Sequence, residues 1–385
     1  MPHYYNSEYM KLTLKTLAFC ACTAFMSVSC IQEEAPNAEC DILTCEFPNA
    51  EIESNPVIDN YSVTVRMSPK QDISALAPVF TITDGATITP ASGSVQNFLN
   101  AENHTIYYTV TSEDGEWSKK YPVKIVQKEI PSEYKFNNCI LDPTGKYYTF
   151  FENDSEDEPI MTWATGNPGF VMTGQGKTPS DFPTAPVFAD NSEKPRQAEY
   201  IRLVTRSTGF FGSIVSMPIA AGNIFQGEFD LGIATSNPRG ATKFGEPYRY
   251  KPTTLKGSFR FKAGEKYTDE KGNNVAGKKD LFSIYALFFE TDANVSYIDG
   301  TIHDSNFSHP NLVLLALMDN PHETSEWETF EIPFNQVNGK TVDTEKLAQG
   351  KYKIGIVISS SADGDYFKGA VGSTLDIKDL KIEHE

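Results

Sequence analysis

Apolar and polar residues alternate at every step in several short segments of the N-terminal third of the chain. The segment "YSVTVRM" (61–67) shows this period of two, and "TIYYTVTS" (105–112) and "YPVKIV" (121–126) repeat it. Such alternation is typical of half-buried β-strands. An Asp114-Gly115 turn lies between the last two segments and joins them as a hairpin. The pattern predicts a small, strand-rich unit.

The predicted strands of this unit are short and are separated by Pro- and Gly-containing turns. This spacing is typical of an immunoglobulin-like β-sandwich, which we place at residues 38–129. The polar segment "QKEIPSEYKF" follows and predicts a linker with its boundary near Ile130. The simplest role for the first unit is that of a spacer.

The rest of the chain, residues 130–385, contains long apolar runs and no sustained helical period. Its clearest strands are "LFSIYALFFET" (281–291), "NLVLLALMD" (311–319) and "KYKIGIVISSS" (351–361). Apolar runs of this length, bounded by Asp, Asn, Gly and Pro, favour strands that are buried between two sheets. The segment "DTEKLAQG" predicts one short helix. The predicted fold class is all-β, with the second domain a jelly-roll sandwich.

The N-terminus has the pattern of a secretory signal. From Met10, "MKLTLKTLAFCACTAFMSVSC" has a basic start, an uncharged stretch over residues 16–29 and small residues before Cys30. The stretch is too short to cross a bilayer as a helix. We therefore predict a signal peptide over residues 1–30.

The end of this signal resembles a bacterial lipobox, "SVSC", which implies lipidation of Cys30. The acidic segment "CIQEEAPN" that follows is similar to the surface-export signal of lipoproteins in the Bacteroidetes. This resemblance implies a lipid-anchored protein on the cell surface, in the outer membrane.

The chain is acidic. Its 385 residues include 33 Lys and Arg and 51 Asp and Glu, for a formal net charge of −18. This charge argues against nucleic acid and anionic membranes as partners, because phosphate groups would be repelled. Cys40 and Cys45 either form a short-loop disulfide or stay free, and Cys139 has no partner.

The familiar catalytic signatures of metalloproteases, nucleotide-binding loops and serine hydrolases are absent from the sequence. Glycoside hydrolysis needs two carboxylates at a controlled separation. Glu228 and Asp230 have the i, i+2 spacing that points two side chains to one face of a strand. Ile233 stands where the related Glu-x-Asp-x-x-Glu pattern has its third acid. The pair is kept as the alternative, catalytic hypothesis.

From about Phe182 onward the chain resembles the putative carbohydrate metabolism domain family (PCMD) of Bacteroidetes surface proteins. The resemblance rests on "DFPTAPVF", "AAGNIFQGEFDLG", "KFGEPYRYKPTTLKGSFRFKAGE", "SEWETFEIPF" and "SSSADGDYFKGAVGSTLDIKDLKI". The segment before it looks like the small Ig-like modules that precede glycan-associated domains. The resemblance implies a jelly-roll fold and a carbohydrate ligand, and it supplies no mechanism.

A sugar site needs aromatic faces for stacking and polar groups for hydroxyls. The turn-rich segment "KFGEPYRYKP" offers Phe244, Tyr248 and Tyr250 as rings and Arg249 as a hydrogen-bond donor. Trp163 lies beside another loop and joins them as a candidate.

The segment "SSSADGDYFKGAVGSTLDIKDLKI" predicts a turn and a closing strand. Asp363 and Asp365, which flank Gly364, are the alternative ligands for a metal ion or a sugar hydroxyl. No cofactor is required by the sequence, and a structural calcium ion is the one left open.

Together these features predict a surface-tethered lipoprotein that binds a polysaccharide or oligosaccharide through its C-terminal jelly roll. Other glycan-utilisation surface proteins are further expected partners. Two alternatives stay open: a glycoside hydrolase that uses Glu228 and Asp230, and a structural or adhesion subunit of an outer-membrane complex.

Overall fold

A computed structural model describes residues 36–53, 56–153, 159–189 and 197–385. The predicted signal peptide and Cys30 lie outside these residues. Within them, no helix combines the length and the apolar character that crossing a membrane requires.

The described residues of the N-terminal part, 36–53 and 56–126, form seven strands. They are β1 (Ile42–Glu46), β2 (Val57–Ile58), β3 (Val63–Arg66), β4 (Val79–Ile82), β5 (Thr87–Thr89), β6 (Thr105–Thr111) and β7 (Ser118–Val126). Strands β2-β3-β7-β6-β5 form one sheet, in which β3 and β7 run parallel, and β1 pairs with β4. The predicted hairpin is the antiparallel pair β6–β7.

The apolar positions of the alternating segments form the core of the N-terminal part. Val63 and Val65 on β3 are fully buried, as are Tyr108 and Val110 on β6. These residues share one cluster with Cys40 and Cys45, which are buried as free thiols. The disulfide that the sequence left open is therefore not formed.

The C-terminal part is a sandwich of two main sheets. The path of the larger sheet is β25 (Asn335–Gln336), β23 (Leu312–Leu317), β21 (Ser283–Glu290), β26 (Tyr352–Ser359), β16 (Asn223–Phe229), β11 (Pro159–Ala164), β10 (Tyr148–Asn153) and β9 (Asn138–Leu141). Beside this path lie β17 (Thr242–Phe244), β18 (Glu246–Pro247) and β22 (Ile298–Asp299).

The smaller sheet has the order β12 (Thr184–Phe188), β13 (Ala198–Val204), β28 (Thr374–His384), β19 (Pro252–Lys262) and β24 (Thr324–Pro333), with β8 (Glu133–Tyr134) paired to β28. Two ribbons complete the strands: β14 (Arg206–Ser207) with β15 (Ile219–Ala220), and β20 (Tyr267–Thr268) with β27 (Gly369–Ala370). The helices are α1 (Asn167–Val171), α2 (Gly209–Ile214) and α3 (Thr344–Ala348). Short 3-10 helices occur at Glu102–His104, Pro179–Asp181, Gly300–Ser305 and Gly364–Tyr366.

Strand β21 shows why the C-terminal strands appear in the sequence as continuous apolar runs. Its inward residues Ile284 and Phe288 belong to the core between the two sheets. Its outward residues Tyr285, Leu287 and Phe289 belong to a second apolar cluster on the outer face of the larger sheet. Both faces of the strand are therefore covered, and an all-β sandwich is confirmed.

The predicted short helix is also present, as α3. Its N-cap residue, Asp343, accepts a hydrogen bond from the Glu345 backbone N–H at 2.8 Å. A carboxylate in this position satisfies an N–H that has no partner within the helix. The domain boundary near Ile130 stays a prediction, and Ile130 itself is buried with the C-terminal core.

Candidate functional site

Two of the three aromatic rings predicted to bind sugar are core residues. Phe244 and Tyr248 are each only 3% exposed. Phe244 packs against Phe225 and Tyr285 beneath the larger sheet's outer layer, and Tyr248 belongs to the core between the sheets. Stacking on a sugar requires an open ring face, which neither ring offers, although Phe244 also lines the pocket described below.

Tyr250 and Trp163 are also committed to contacts within the protein. Tyr250 is 39% exposed, but its ring stacks on His384 with centroids 4.2 Å apart. Trp163 is buried, and its indole N–H donates to Glu152 Oε1 at 3.0 Å. Trp163 is thus a core residue whose polar atom is satisfied by a buried carboxylate, which corrects its assignment to the sugar site.

Arg249 lies at the contact between the N-terminal and C-terminal parts. Its Nη2 donates to Glu53 Oε1 and to Ser68 Oγ, both at 2.8 Å. Arg66 forms a second ion pair across the same contact, with Glu246 at 2.9 Å. Arg249 therefore holds the two parts together, and it lines the cleft between them.

The two carboxylates of the catalytic hypothesis have different surroundings. Glu228 is exposed near the end of β16 and lines a cleft of about 970 Å³ between the N-terminal and C-terminal parts. Asp230 lies beyond the strand and accepts from Lys243 Nζ at 2.8 Å. This hydrogen bond to Lys243 lowers the pKa of Asp230, so its carboxylate is suited to staying ionised and not to donating a proton.

Asp363 and Asp365, the candidate metal ligands, point to different partners. Asp363 accepts hydrogen bonds from Tyr267 Oη and from Lys278 Nζ at 2.7 Å. Asp365 Oδ2 lies 3.0 Å from His303 Nδ1. Across the described ranges, no group of three or more His, Cys, Asp or Glu side chains is arranged to hold a metal ion. The two carboxylates therefore have separate partners in this structure.

The structure does bring Asp365 into a pocket. This pocket has a volume of about 280 Å³ and lies on the outer face of the larger sheet. Its floor is formed by outward residues of β16, β21 and β26, namely Asn223, Phe225, Ser283, Tyr285, Val357 and Ser359. Helices α1 and α2, the 3-10 helix Gly300–Ser305 and the turn 361–367 contribute to its walls. We call it the outer-face pocket.

One wall of the outer-face pocket is the turn that follows β26, and a buried carboxylate holds it. Asp280 Oδ2 accepts from Ser361 Oγ at 2.6 Å, from Ser373 Oγ at 2.7 Å and from the Ala370 N–H at 2.7 Å. Burial raises the pKa of Asp280. Ser361 is also within 2.6 Å of Thr205 Oγ1, so this serine has a structural role.

A glycine allows this turn to lie close to the neighbouring segment. A Cβ atom added at Gly364 would be only 2.5 Å from the Cβ of Ala221. Real Cβ atoms do not approach so closely, and a larger residue would push the wall outward. Gly364 thus positions the next residue, Asp365, at the pocket.

The polar groups of the outer-face pocket centre on Asp365. Its Oδ2 lies 3.2 Å from Arg239 Nε, in addition to the contact with His303. Arg239 Nη1 is held in turn by both carboxylate oxygens of Asp304, at 2.8 and 2.9 Å. The other oxygen of Asp365, Oδ1, is buried and has no hydrogen-bond partner among the residues that the structure describes.

Apolar side chains surround this polar group. Phe229, Phe367 and Tyr285 line the pocket, and Tyr285 packs edge-on against His303 with centroids 5.3 Å apart. An unsatisfied acceptor within aromatic walls can receive a hydroxyl group whose carbon skeleton packs against the rings.

Sequence reasoning found Asp365 but missed Arg239 and His303. Arg239 is in an irregular segment, and His303 lies in the 3-10 helix Gly300–Ser305. These residues are far from one another in sequence and meet only because their segments pack on the same face of the larger sheet. No local pattern in the sequence predicts this.

The comparisons with known proteins agree with this fold. Residues 135–383 match the family described as "Putative carbohydrate metabolism domain". The chain belongs to this family. Residues 42–125 match the model described as "SGBP, N-terminal". This PCMD family member thus combines a carbohydrate-associated domain with an N-terminal domain of surface glycan-binding proteins, and the suspected family is confirmed.

Two crystal structures are similar to this PCMD protein. One is described as a putative glycoside hydrolase from Bacteroides thetaiotaomicron; it is 46% identical, has a TM-score of 0.76, and the match covers 92% of this chain and 99% of that one. The other is described as a putative glycoside hydrolase from Bacteroides vulgatus; it is 44% identical, has a TM-score of 0.61, and the match covers 67% and 100%. No curated protein matches the chain.

Proposed function

We propose that this protein is a cell-surface carbohydrate-binding protein that holds a sugar unit in the outer-face pocket. Membership of a carbohydrate-associated family supports the ligand class. The observation that carries the proposal is the buried Oδ1 of Asp365, an acceptor without a partner in an aromatic-lined pocket. A bound sugar hydroxyl would donate a hydrogen bond to this oxygen. Without a donor, the buried oxygen destabilises the protein, because it has lost its contact with water and gained no hydrogen bond.

The size and lining of the pocket suit a sugar. Its volume of about 280 Å³ is close to the lower limit of small-molecule sites, roughly 300 Å³. It would therefore take a short part of a glycan, with the remainder outside. Asp365 would accept from a hydroxyl, and the partly exposed rings of Phe229 and Phe367 would pack against the C–H faces of the sugar.

His303 offers a second polar contact. Its Nδ1 is occupied by Asp365, and its Nε2 has no hydrogen-bond partner in the described part of the chain. When Asp365 accepts the proton of Nδ1, the neutral ring presents Nε2 as an acceptor. A sugar with two neighbouring hydroxyls could then donate to Asp365 Oδ1 and to His303 Nε2.

Affinity electrophoresis on a panel of plant, host and microbial polysaccharides tests the proposal. We expect the wild-type protein to be retarded by at least one glycan and Asp365→Ala to lose that retardation. Asp363→Ala is the matched control, because it removes a carboxylate two residues away whose partners are Lys278 and Tyr267. Equal retardation of the Asp365 variant would remove the pocket from the proposal.

The surface location is part of the same proposal. Cys30 would carry the lipid anchor after removal of residues 1–29, with the protein in the outer membrane alongside other glycan-utilisation proteins. Protease treatment of intact cells should degrade the wild-type protein, whereas Cys30→Ala should release it from the membrane fraction. Retention of the variant in membranes would contradict anchoring through this residue.

Glycoside hydrolysis is the second candidate, favoured by the description of both similar crystal structures. In this chain Glu228 is the more suitable of the two predicted carboxylates, because it is exposed in the large cleft and Asp230 is paired with Lys243. Release of new reducing ends from the panel, abolished in Glu228→Gln, would support hydrolysis. Release that persists in this variant would dismiss the residue.

A further inference from the structure

The outer face of the smaller sheet carries a second group of aromatic and charged side chains, on the other sheet of the sandwich from the outer-face pocket. We call it the sheet-face cluster. Its members are Tyr200 and Arg202 on β13, Asp376 and Lys378 on β28, Arg260 on β19 and Trp327 on β24.

A buried carboxylate orients the two arginines of this cluster. Asp376 is 2% exposed. Arg202 donates to its Oδ1 through Nε at 2.7 Å and to its Oδ2 through Nη2 at 3.0 Å. Arg260 donates to Oδ2 through Nε at 2.7 Å. Each guanidinium is fixed by one edge, which leaves its rotation restricted.

The remaining edges of the guanidiniums are available to a ligand. Arg260 Nη2 also donates to Tyr200 Oη at 2.8 Å. Nη1 of Arg202 and Nη1 of Arg260 have no hydrogen-bond partner among the described residues. Both arginine side chains are partly exposed, at 41% and 30%. The cluster thus presents two oriented Nη1 groups whose N–H bonds can donate to an anion.

Trp327 places a partly exposed aromatic ring beside these donors. Its ring lies 4.9 Å from the Arg260 guanidinium carbon and 4.6 Å from Lys378 Nζ. It also contacts the Tyr200 ring edge-on, with centroids 5.2 Å apart. Strands β19, β28 and β13 all lie on the same side of β24, so the indole extends from β24 across the sheet toward these side chains.

The local charge is opposite to that of the chain. The cluster has three positive side chains and one negative one, on a protein of net charge −18. Further along the same face, the carboxylates of Glu331 and Glu383 are paired with Lys256, at 3.1 and 3.0 Å. A positive patch on an acidic protein attracts anions locally and excludes them elsewhere.

We propose that the sheet-face cluster is a binding site for an acidic saccharide, whose carboxylate or sulfate group contacts Arg202, Arg260 and Lys378 while a sugar ring packs on Trp327. The site is separate from the outer-face pocket. It rests on the proposed function only for the ligand class, a saccharide. Carboxylate and sulfate both accept from paired guanidinium N–H groups, so the anion is defined by this shared chemistry.

Affinity electrophoresis of the purified protein in gels with polygalacturonate, dextran sulfate or neutral dextran tests the site. We expect retardation by an acidic polymer and none by dextran, with the retardation weakening as salt is raised. Polygalacturonate alone indicates carboxylate recognition, and dextran sulfate alone indicates sulfate recognition. Absence of retardation by both acidic polymers, or equal retardation by dextran, would overturn the proposal.

Variants at partly exposed positions locate the site without replacing the buried Asp376. Trp327→Ala and Lys378→Ala should each weaken retardation at least threefold. Lys256→Ala is the matched control, because it removes the same charge from the same face outside the cluster. Polymer binding should also change the fluorescence of the wild-type protein and not that of Trp327→Phe. Retardation that is unchanged in both cluster variants would overturn the location.

Asp365→Ala separates the two proposals. It should abolish retention by the glycan of the outer-face pocket and leave the acidic-polymer retardation intact. Trp327→Ala should do the reverse. Loss of both activities in either variant, with the fold intact by circular dichroism, would contradict two separate sites.

Discussion

The hydroxyl of Ser361 donates a 2.6 Å hydrogen bond to the buried Oδ2 of Asp280, 81 residues earlier in the chain. This bond joins the start of β21 to the turn that follows β26. Through it, the core of the sandwich fixes the wall of the outer-face pocket. The rigidity of the pocket therefore depends on a carboxylate that does not itself line it.

Asp280→Ala should destabilise the protein. The change leaves three buried donors without an acceptor: the hydroxyls of Ser361 and Ser373 and the Ala370 N–H. Because each unsatisfied buried group costs about 1–3 kcal/mol, we expect the free energy of unfolding to fall by about 3 kcal/mol. Calorimetry checks this, with Asp269→Ala in an exposed turn as the control. Equal melting temperatures for the two variants would contradict the structural role.

The same residue predicts a pH dependence of stability. Burial raises the folded-state pKa of Asp280 above its ordinary value of 3.8. The folded state therefore binds this proton more tightly than the unfolded state, and the contribution to stability is lost as the pH rises from about 4 through the raised pKa. Asp280→Asn cannot titrate and should lose less stability over that interval. Parallel melting curves for wild type and variant would contradict the shift.

The sequence predicted the fold better than the site, and particular residues show why. Alternation at Val63 and Val65 reports burial directly, because side chains of a strand point to opposite faces. The apolar runs of β21 and β26 likewise report burial on both faces. The burial of Phe244 and Tyr248 could not be predicted in this way. These rings are flanked by turns in the sequence, but other parts of the fold cover them. Arg239, His303 and Asp365 meet only through the sheet topology, which no local spacing encodes.

Arg249→Ala should lower stability without affecting glycan binding. The side chains of Arg249 and Glu53 are 12% and 7% exposed. Without the arginine, the buried carboxylate of Glu53 would keep Arg66 as its one remaining ion-pair partner among the described residues. Breaking a buried ion pair in this way costs about 3 kcal/mol. Differential scanning calorimetry measures this loss, and affinity electrophoresis below the melting temperature measures retention. If the folded variant is no longer retained by the glycan, Arg249 is part of the binding site.

Cys40 and Cys45 should be unreactive thiols in the native protein. Both are buried, and burial raises the pKa of Cys45 to about 12, so the reactive thiolate is scarce at neutral pH. Iodoacetamide should label neither residue in buffer and both in guanidinium chloride without reductant. Peptide mass spectrometry reads the result. Absence of labelling in the denatured, unreduced protein would show a disulfide in place of the two free thiols.

Arg239→Lys should weaken glycan retention through Asp365. The guanidinium holds Asp304 with Nη1 and faces Asp365 with Nε, and an ammonium group cannot match this geometry. We expect about a tenfold loss in affinity for the retaining glycan, which corresponds to about 1.4 kcal/mol. Arg206→Lys is the control, because it makes the same substitution at an arginine outside the pocket lining. Equal losses in both variants would indicate a general effect on the fold, and no loss in Arg239→Lys would show that Asp365 is positioned without it.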